Sequence, residues 1–384
     1  MLSSGRSGTA RLSAALIVRD EERFLGDCLD SLTGVADEVV VVDTGSVDRT
    51  CDIASSRGAR LLHHPWQDDF AAARNVALDA CTGDWILYID ADERLTSGLP
   101  PSVRSQLEEP RIVGLTVKFR PATGFTFYRE PRLFRRHEAV RFRGVIHETH
   151  LPDLYQLAAR ERRVIEHSEL ALHHLGYDGD ISHKHPRNLP LLQARVRQDP
   201  GHIYSWWHLG QTLAALERHD EAETAWRQGL EVIRAAPGTS IVMCLPYLAL
   251  LGHQLSHKEY FDAGLWEEAL ARFPGHPSLL WLKARHLVSG RRWAEAIPLL
   301  EPLVATDLEE QVARQFATEE RLFRRWAPEA LATSLFHLER YAEAAEIYRR
   351  LEADFPSREL AVKRQLAERR ARRAAPPSPA SRPW

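Results

Sequence analysis

The sequence has few cysteines and no long uninterrupted apolar run. Its four cysteines lie far apart and form no C-x-x-C pair, which argues against a zinc knuckle or a redox pair and favours buried thiols in a reducing compartment. No apolar run approaches the roughly 20 residues that a membrane-spanning helix needs. The first dozen residues also lack the apolar stretch of a secretory signal. These absences predict a cytoplasmic protein without a transmembrane segment.

An excess of charge of one sign is also absent. The 50 basic residues nearly balance the 53 acidic residues, so the broad positive field of a general nucleic-acid-binding protein is excluded. Any anion that the protein binds must therefore be held locally. At 384 residues the chain exceeds the usual size of one hydrophobic core, which predicts two domains.

The first quarter of the chain alternates short apolar runs with amphipathic stretches. This alternation predicts a parallel sheet wrapped by helices, with ligands bound at the carboxyl ends of the strands. The predicted strands are 12–18, 39–42, 60–63 and 85–89, and the predicted helices are 21–32, 48–57 and 70–80. From Ile112 to His174, runs rich in Arg, Phe and β-branched residues predict a mixed, partly antiparallel extension with strand-like segments at 113–119, 132–134, 141–147 and 170–174.

Helical periodicity replaces the strand pattern beyond about Arg187. Pro-Gly pairs that begin at Pro200, Pro237 and Pro274 recur every 37 residues, which indicates helical repeats. The segments around Trp207 and Tyr341 resemble tetratricopeptide repeats. We predict a flexible N-terminus (1–11), an α/β domain (12–182), a repeat domain (183–368) and a disordered tail (369–384).

Polar residues follow four elements of the predicted sheet. Asp90 and Asp92 follow the strand that begins at Trp85, and two carboxylates at this spacing can reach one hard cation. Asp43 ends another strand, and Ser46 or Asp48 can cap the helix that follows it. The other groups are Arg19-Asp20-Glu21-Glu22 after the first strand and Asp68-Asp69-Phe70 with Arg74-Asn75 on the next helix. These side chains are predicted to face one crevice.

The motifs VRDEE, DEVVVVDTGSVDRT, HPWQDDFAAARN and GDWILYIDADERL carry a family resemblance. Together they are similar to inverting family-2 glycosyltransferases, in the subgroup that joins the transferase domain to tetratricopeptide repeats. That subgroup includes peptide S-glycosyltransferases of the sublancin type and relatives of lipopolysaccharide-core glucosyltransferases. The resemblance implies an α/β, GT-A (Rossmann-like) nucleotide-diphospho-sugar transferase domain followed by an all-α tetratricopeptide-like solenoid. It also implies a UDP-sugar donor and a Mg²⁺ or Mn²⁺ ion.

The resemblance assigns roles to individual residues of this chain. Asp43 and the backbone near Val18 and Arg19 are expected to hold the uridine, Asp90 the ribose and the metal side, and Asp92 the metal. Asp20 stands where the subgroup has asparagine. The full set of expected donor-binding residues is Val18, Arg19, Glu21, Asp43, Asp48, Arg74, Asn75 and Asp90.

Three downstream motifs also resemble the subgroup, around Arg132, Glu148 and His174. A neutral imidazole can complete a carboxylate and diphosphate shell, so we expect His174, or alternatively His147, to bind the metal with Asp90 and Asp92. An inverting transfer also needs a general base.

Glu148 is the expected general base, with Glu130 in reserve. The competing interpretation of Glu148 is that it orients His147. Arg132 is expected to neutralise the leaving diphosphate.

The resulting hypothesis is an enzyme that transfers a hexose from a UDP-sugar to a peptide, a protein, or a lipid-linked or core saccharide, with repeats that can bind protein. The alternative is a repeat-based scaffold whose sugar-nucleotide domain is inactive. A nucleotidylyltransferase would need a glycine-rich loop after the first strand, and residues 18–22 contain no glycine. A zinc protease would need histidines four apart, whereas His147 and His150 are three apart.

Overall fold

The computed structural model describes residues 9–176, 184–236, 238, 240–257, 260–308 and 317–374. Contacts divide these residues into two compact units, one that runs to Ala225 and one from Trp226 onward, with Ala317 counted in the first. The division falls later than residue 182, because helices that follow the last strand still pack within the first unit. None of the helices in the described residues combines the length and the apolar character that crossing a membrane requires.

The first unit is built on one eight-stranded mixed sheet in the order β3-β2-β1-β4-β7-β6-β8-β5. Its strands are β1 (Leu12–Val18), β2 (Glu38–Asp43), β3 (Arg60–His63), β4 (Trp85–Tyr88), β5 (Glu93–Leu95), β6 (Ile112–Arg120), β7 (Tyr128–Arg135) and β8 (Val164–His174). The first four run parallel, β7 is antiparallel to β4 and β6, β8 is parallel to β6, and β5 is antiparallel to β8. The predicted α/β fold with a mixed extension is therefore confirmed.

Apolar residues on both faces of β1 explain its central position. Leu12 and Leu16 pack in one core with Leu25, whereas Ala15 packs in the core on the other face with Ala71. A strand buried on both faces suits the interior of a parallel sheet. The helices up to the division are α1 (Leu25–Ser31), α2 (Thr50–Ser56), α3 (Phe70–Ala80), α4 (Pro101–Glu108), α5 (Leu151–Glu161), α6 (Lys184–Gln198), α7 (Ile203–Ala215) and α8 (His219–Ala235), and α8 crosses it.

The predicted strand at 141–147 is wrong, and helix α5 was not predicted. Segment 141–147 is a loop with one isolated bridge, between Arg143 and Thr149. Gly144 (φ 105°) and His147 (φ 52°) have left-handed backbone conformations, which interrupt an extended strand. The apolar side chains of the segment produced a strand-like pattern because Phe142 and Ile146 are buried.

The regular elements of the second unit are helical, among its described residues. They are α9 (Cys244–His257), α10 (Ala263–Arg272), α11 (Pro277–Ser289), α12 (Trp293–Val304), α13 (Ala327–His337), α14 (Tyr341–Asp354) and α15 (Arg358–Ala374), with a 3₁₀ turn at Ile241–Met243 and a π-helical turn at Leu322–Trp326. Helix α15 continues past Arg369, so the predicted disorder is wrong for 369–374, and 375–384 lie outside the described residues. Arginine and alanine favour helix, and Leu360 and Ala367 anchor α15 by burial.

The same hairpin turn ends α7, α11 and α13. After α13, the N–H of Arg340 donates to the carbonyl of Leu335 (2.9 Å) and the N–H of Glu339 to that of Phe336 (3.2 Å), which is a Schellman motif. The guanidinium of Arg340 then donates to both oxygens of Glu343 (2.7 and 2.6 Å) in the first turn of α14. The corresponding residues are Glu217, Arg218 and Glu221 after α7, and Arg291, Arg292 and Glu295 after α11.

Candidate functional site

The loops that follow β1 and β2 are joined by hydrogen bonds. The carboxylate of Asp48 accepts from the backbone N–H groups of Glu22 (3.0 Å) and Thr50 (2.9 Å). The carboxylate of Asp20 accepts from the N–H of Val47 (2.8 Å), and Asp20 has a φ of 56°. Aspartate, like asparagine, tolerates this left-handed conformation, so aspartate at this position is compatible with the loop. Asp48 therefore acts here by fixing one loop against the other.

Asp43 lies buried at the end of β2, beside the end of β1. Its carboxylate accepts from the N–H groups of Gly45 (3.1 Å) and Ser46 (3.0 Å), and it lies 3.3 Å from Nδ1 of His63. Although burial raises its pKa, hydrogen bonds from Ser46 and Gly45 hold the pKa of Asp43 below the usual value. Asp43 is therefore a charged acceptor at the carboxyl edge of the sheet, and Val18 ends the neighbouring strand.

Arg74 on α3 links two separate parts of this edge. Asp69 caps α3 by accepting from the N–H of Ala72 (3.0 Å). One turn later, Nε of Arg74 donates to Glu148 (2.5 Å) and Nη2 donates to Asp90 (2.7 Å). Burial lowers the pKa of Arg74, but these two carboxylates outweigh burial and raise it. The predicted base Glu148 and the predicted metal-side residue Asp90 thus share one buried guanidinium.

Asn75 contacts the loop after β7. Its amide nitrogen donates to the carbonyl of Phe142 (3.0 Å), and its amide oxygen accepts from the N–H of Phe142 (2.9 Å). Both ends of the amide are therefore used to fix the backbone of the loop that continues to Glu148.

The acidic turn after β4 contains a buried residue to which the sequence assigned no role. The N–H of Asp90 donates to Oε2 of Glu93 (2.9 Å), and Oε1 of Glu93 lies 3.1 Å from Nη2 of Arg132. Burial raises the pKa of Glu93 to about 7. The side chain of Asp90 is 33% exposed, and Arg74 overcomes burial to hold the pKa of Asp90 at about 2. The string of three acidic residues within four positions was the available signal for Glu93.

Arg132 is a buried cation with two carboxylate partners. Besides Glu93, its Nε lies 3.0 Å from Glu130, and its guanidinium lies 4.4 Å from the ring centre of Tyr88. Glu130 also accepts weak hydrogen bonds from the hydroxyls of Tyr88 and Tyr128, each 3.4 Å long. Arg132 and Glu130 therefore form one network with the acidic turn.

The pairing of β5 with β8 brings His174 to the acidic turn. Glu93 lies opposite His174 in that pair, and Nε2 of His174 is 3.3 Å from Oδ2 of Asp92. Nδ1 of His174 donates to the carbonyl of Pro121 (2.9 Å), and a hydrogen bond of this kind orients an imidazole ring that serves as a metal ligand. Burial lowers the pKa of His174, but Asp92 outweighs this and raises it. A carboxylate beside an oriented imidazole fits a divalent cation such as Mn²⁺.

The backbone of Gly176 lies against the carboxylate of Asp92. A Cβ added to Gly176 would stand 1.8 Å from Oδ2 of Asp92, and the N–H of Leu175 donates to the carbonyl of Asp92 (2.8 Å). The segment after β8 therefore closely constrains the position of Asp92. Tyr177, the next residue in the chain, lies outside the described residues.

His147, the alternative metal ligand, contacts helix α7. Its ring stacks on His208 at 3.8 Å between ring centres and meets Tyr204 edge-on at 5.1 Å. Burial lowers the pKa of His147 to about 4. The structure thus brings Asp90, Asp92, Glu93, Arg74, Arg132, Glu148 and His174 into connected contacts, while His147 faces the α7 side.

Two family models match the chain. Residues 13–162 match glycosyl transferase family 2, and residues 263–307 match the tetratricopeptide repeat. A TPR repeat-containing protein of Synechococcus elongatus is 37% identical over 293 residues, 73% of this chain and 72% of that protein.

Several relatives are named as glycosyltransferases. The SPbeta prophage-derived glycosyltransferase SunS of Bacillus subtilis is 27% identical over 226 residues, 56% of this chain and 52% of SunS. The lipopolysaccharide core biosynthesis glycosyltransferase LpsC of Rhizobium meliloti is 38% identical over 118 residues, 29% of this chain and 42% of LpsC. This chain therefore spans about half the length of SunS and less than half of LpsC.

Proposed function

The chain belongs to glycosyl transferase family 2 and carries C-terminal tetratricopeptide repeats, and we propose that it transfers a hexose from a UDP-sugar to a nucleophilic acceptor, with inversion and with a bound Mg²⁺ or Mn²⁺ ion. That it is a glycosyltransferase follows from the family. The donor, the metal, the stereochemistry and the acceptor are our proposal.

The observation that carries this proposal is the pair of Asp92 and His174. Their ligand atoms lie 3.3 Å apart, and the hydrogen bond of His174 to Pro121 directs Nε2 toward Asp92. We assign Asp92 and His174 as metal ligands, with Asp90 on the ribose and metal side. When bound, the ion supplies positive charge that stabilises the departing diphosphate.

The donor nucleoside is assigned to the carboxyl ends of β1 and β2. Support comes from the ionised Asp43 and from the interlocked loops 19–24 and 44–49, which are held together by Asp20 and Asp48. Arg19 and Glu21 lie on the first of these loops. Ordered loops lower the entropic cost of holding a flexible nucleotide.

Glu148 is our proposed general base. Its support is its position on a loop that Arg74 connects to Asp90. Inversion requires removal of the acceptor proton during attack on the anomeric carbon from the face opposite the diphosphate. The Arg74 contact keeps the carboxylate of Glu148 oriented, and Glu130 is the reserve base. Arg132 contributes positive charge near the acidic turn through its contacts with Glu93.

The acceptor is proposed to be a peptide or protein side chain, with a lipid-linked or core saccharide as the alternative. Tetratricopeptide repeats suggest a protein-binding function. The name of LpsC, in contrast, refers to lipopolysaccharide core biosynthesis for that relative. A tagged-acceptor trapping experiment with each class separates the two.

The test is hydrolysis and binding of a panel of UDP-sugars with and without Mn²⁺, using the wild type, Asp92→Ala and, as a matched control, the exposed Asp52→Ala. We expect metal-dependent turnover in the wild type and in Asp52→Ala, and a loss of about a hundredfold or more in Asp92→Ala, because charge stabilisation by the metal is worth several kcal/mol. A wild type without metal-dependent donor binding or turnover favours the inactive scaffold instead.

A further inference from the structure

Helix α7 packs against the loop that carries Glu148, within the first compact unit. The sequence assigned α7 to the repeat domain, but contacts place residues up to Ala225 with the transferase sheet. His208 stacks on His147 with 3.8 Å between ring centres and an interplanar angle of 24°. Tyr204 meets both rings nearly at right angles, at 5.1 Å from His147 and 4.5 Å from His208. Three rings thus form one contact between the loop and the helix.

The loop depends on such packing because its own backbone bonds are few. Arg143 and Thr149 exchange two backbone hydrogen bonds of 3.0 Å, which close the loop at its base. Between them, His147 has a φ of 52°, an unfavourable conformation for a residue with a side chain. Such conformations persist when surrounding contacts hold them in place. The ring of His147 is the group through which α7 supplies these contacts.

The contact reaches the candidate active site through one peptide bond. Glu148 follows His147 directly and lies 2.5 Å from Arg74, which in turn lies 2.7 Å from Asp90. A change in the backbone at His147 therefore changes where the carboxylate of Glu148 lies. Helix α7 is thereby coupled to the acidic turn by three successive contacts.

The histidine rings act by stacking rather than by hydrogen bonding. The Nε2 atoms of His147 and His208 are both buried and have no hydrogen-bond partner within the described chain. Stacked aromatic rings attract each other beyond the effect of the area that they bury. An apolar ring of similar size at position 208 should therefore preserve the contact, whereas a methyl group should not.

From these contacts we infer that His208 is a positioning residue, which holds Glu148 against Arg74 by stacking on His147. Helix α7 then helps to position the proposed base. The catalytic consequence rests on the proposed glycosyl transfer. The structural consequence, an ordered loop at 144–149, is independent of that proposal.

The experiment uses the full chain as wild type, His208→Ala, His208→Phe and Trp206→Ala. Trp206 is the matched control for the loss of an aromatic ring from α7, because its indole N–H donates to the carbonyl of Pro200 (2.8 Å). We expect amide hydrogen exchange at 144–149 to become about threefold to tenfold faster in His208→Ala. It should stay near the wild-type rate in the other two variants. Unchanged exchange at 85–88 and 128–135 shows that the sheet is intact.

The catalytic readout is transfer or hydrolysis of the UDP-sugar. We expect His208→Ala to lower kcat with little change in the KM of the donor. His208→Phe should have a kcat near that of the wild type. Unchanged loop exchange in His208→Ala overturns the inference whatever the activity. The inference is also overturned if exchange at 144–149 is as fast in His208→Phe as in His208→Ala. The same holds if exchange is faster in His208→Ala but its kcat does not fall. The two proposals can also fail separately. If the wild type neither binds nor turns over UDP-sugars, but exchange at 144–149 is still faster in His208→Ala than in the wild type, the proposed function is refuted and the loop contact is supported.

Discussion

At the residue scale, the acidic turn contains carboxyl groups in opposite electrostatic environments. Arg74 overcomes burial and holds the pKa of Asp90 at about 2, so Asp90 stays ionised. Three residues later, burial raises the pKa of Glu93 to about 7 although Arg132 lies beside it. The partly exposed carboxylate thus stays available to a ligand, and the buried one fixes the backbone N–H of Asp90. Neighbours, rather than residue type, determine these separate roles.

Gly176 is the position where the candidate metal site should tolerate least change. Gly176→Ala would bring a Cβ to 1.8 Å from Oδ2 of Asp92, so the carboxylate or the backbone at 176 must shift. We expect metal-dependent turnover to fall at least about tenfold, as for groups that orient metal ligands. Gly98→Ala, which meets no atom within 4 Å, is the control and should retain activity. Equal activity of the two variants in a Mn²⁺ titration would contradict the geometry of this site.

His150 predicts a specific loss of stability in acid. It is buried between Phe134 (4.6 Å) and Phe142 (5.0 Å), and burial lowers its pKa to about 3. The unfolded chain binds this proton below about pH 6.5 and the folded chain does not, so stability falls as the pH drops below that value.

Between about pH 7.5 and pH 5 this histidine accounts for about 2 kcal/mol of the loss in unfolding free energy. His150→Phe should remove that share, which urea denaturation at both pH values measures. Tyr155→Phe, at an exposed aromatic residue of α5, is the control and should leave the loss unchanged. The same acid sensitivity in wild type and His150→Phe would falsify the prediction.

At the element scale, the helical region repeats one turn design. Each described turn places a residue other than glycine in the left-handed position: Glu217, Arg291 and Glu339. The arginine that follows satisfies a carbonyl of the preceding helix and pairs with a glutamate in the first turn of the next one. A glutamate there also interacts favourably with the helix dipole. The turn compensates locally for its unfavourable backbone conformation.

Glycine substitutions at two glutamates should have opposite effects on stability. Glu339→Gly relieves a left-handed conformation, with φ at 64°, and should raise the free energy of unfolding by about 0.5–1 kcal/mol. Glu346→Gly lies in the interior of α14 and should lower it by about 1 kcal/mol. Chemical denaturation of the full chain measures both. Destabilisation by Glu339→Gly would show that the left-handed conformation of Glu339 does not cost the turn stability.

At the scale of the whole molecule, the two compact units should respond differently to ligands. All residues assigned to the donor and the metal lie before the division at Ala225. UDP with Mn²⁺ at about 100 times its Kd should stabilise a unit that binds it by about 2.7 kcal/mol. Hydrogen exchange should therefore slow in the strands of the first unit and stay unchanged in α11 to α14. Asp92→Ala should abolish the slowing, and equal slowing in both units would argue against this assignment.

The sequence by itself determined the fold class, the motif positions and the presence of repeats. The strands at 12–18 and 60–63 and the helix at 70–80 were predicted with the bounds that the structure has, because their patterns reflect local backbone preference and burial of one or both faces. The family model at 13–162 confirms the transferase prediction, and the repeat model at 263–307 confirms that a tetratricopeptide repeat is present. The segments predicted around Trp207 and Tyr341 lie outside that match. The loop at 141–147 was missed because the alternation of apolar and polar residues does not reveal which residues adopt a left-handed backbone conformation.

Only the tertiary structure decided which of these residues meet. Asp92 and His174 are 82 positions apart and become neighbours through the register of β5 against β8, and Arg74 reaches Glu148 across 74 positions. The stacking of His208 on His147 likewise depends on how α7 packs. Strand register and helix docking are set by the burial of many side chains at once. The motif after β4 therefore indicated the chemistry, and the fold selected the partners of its carboxylates.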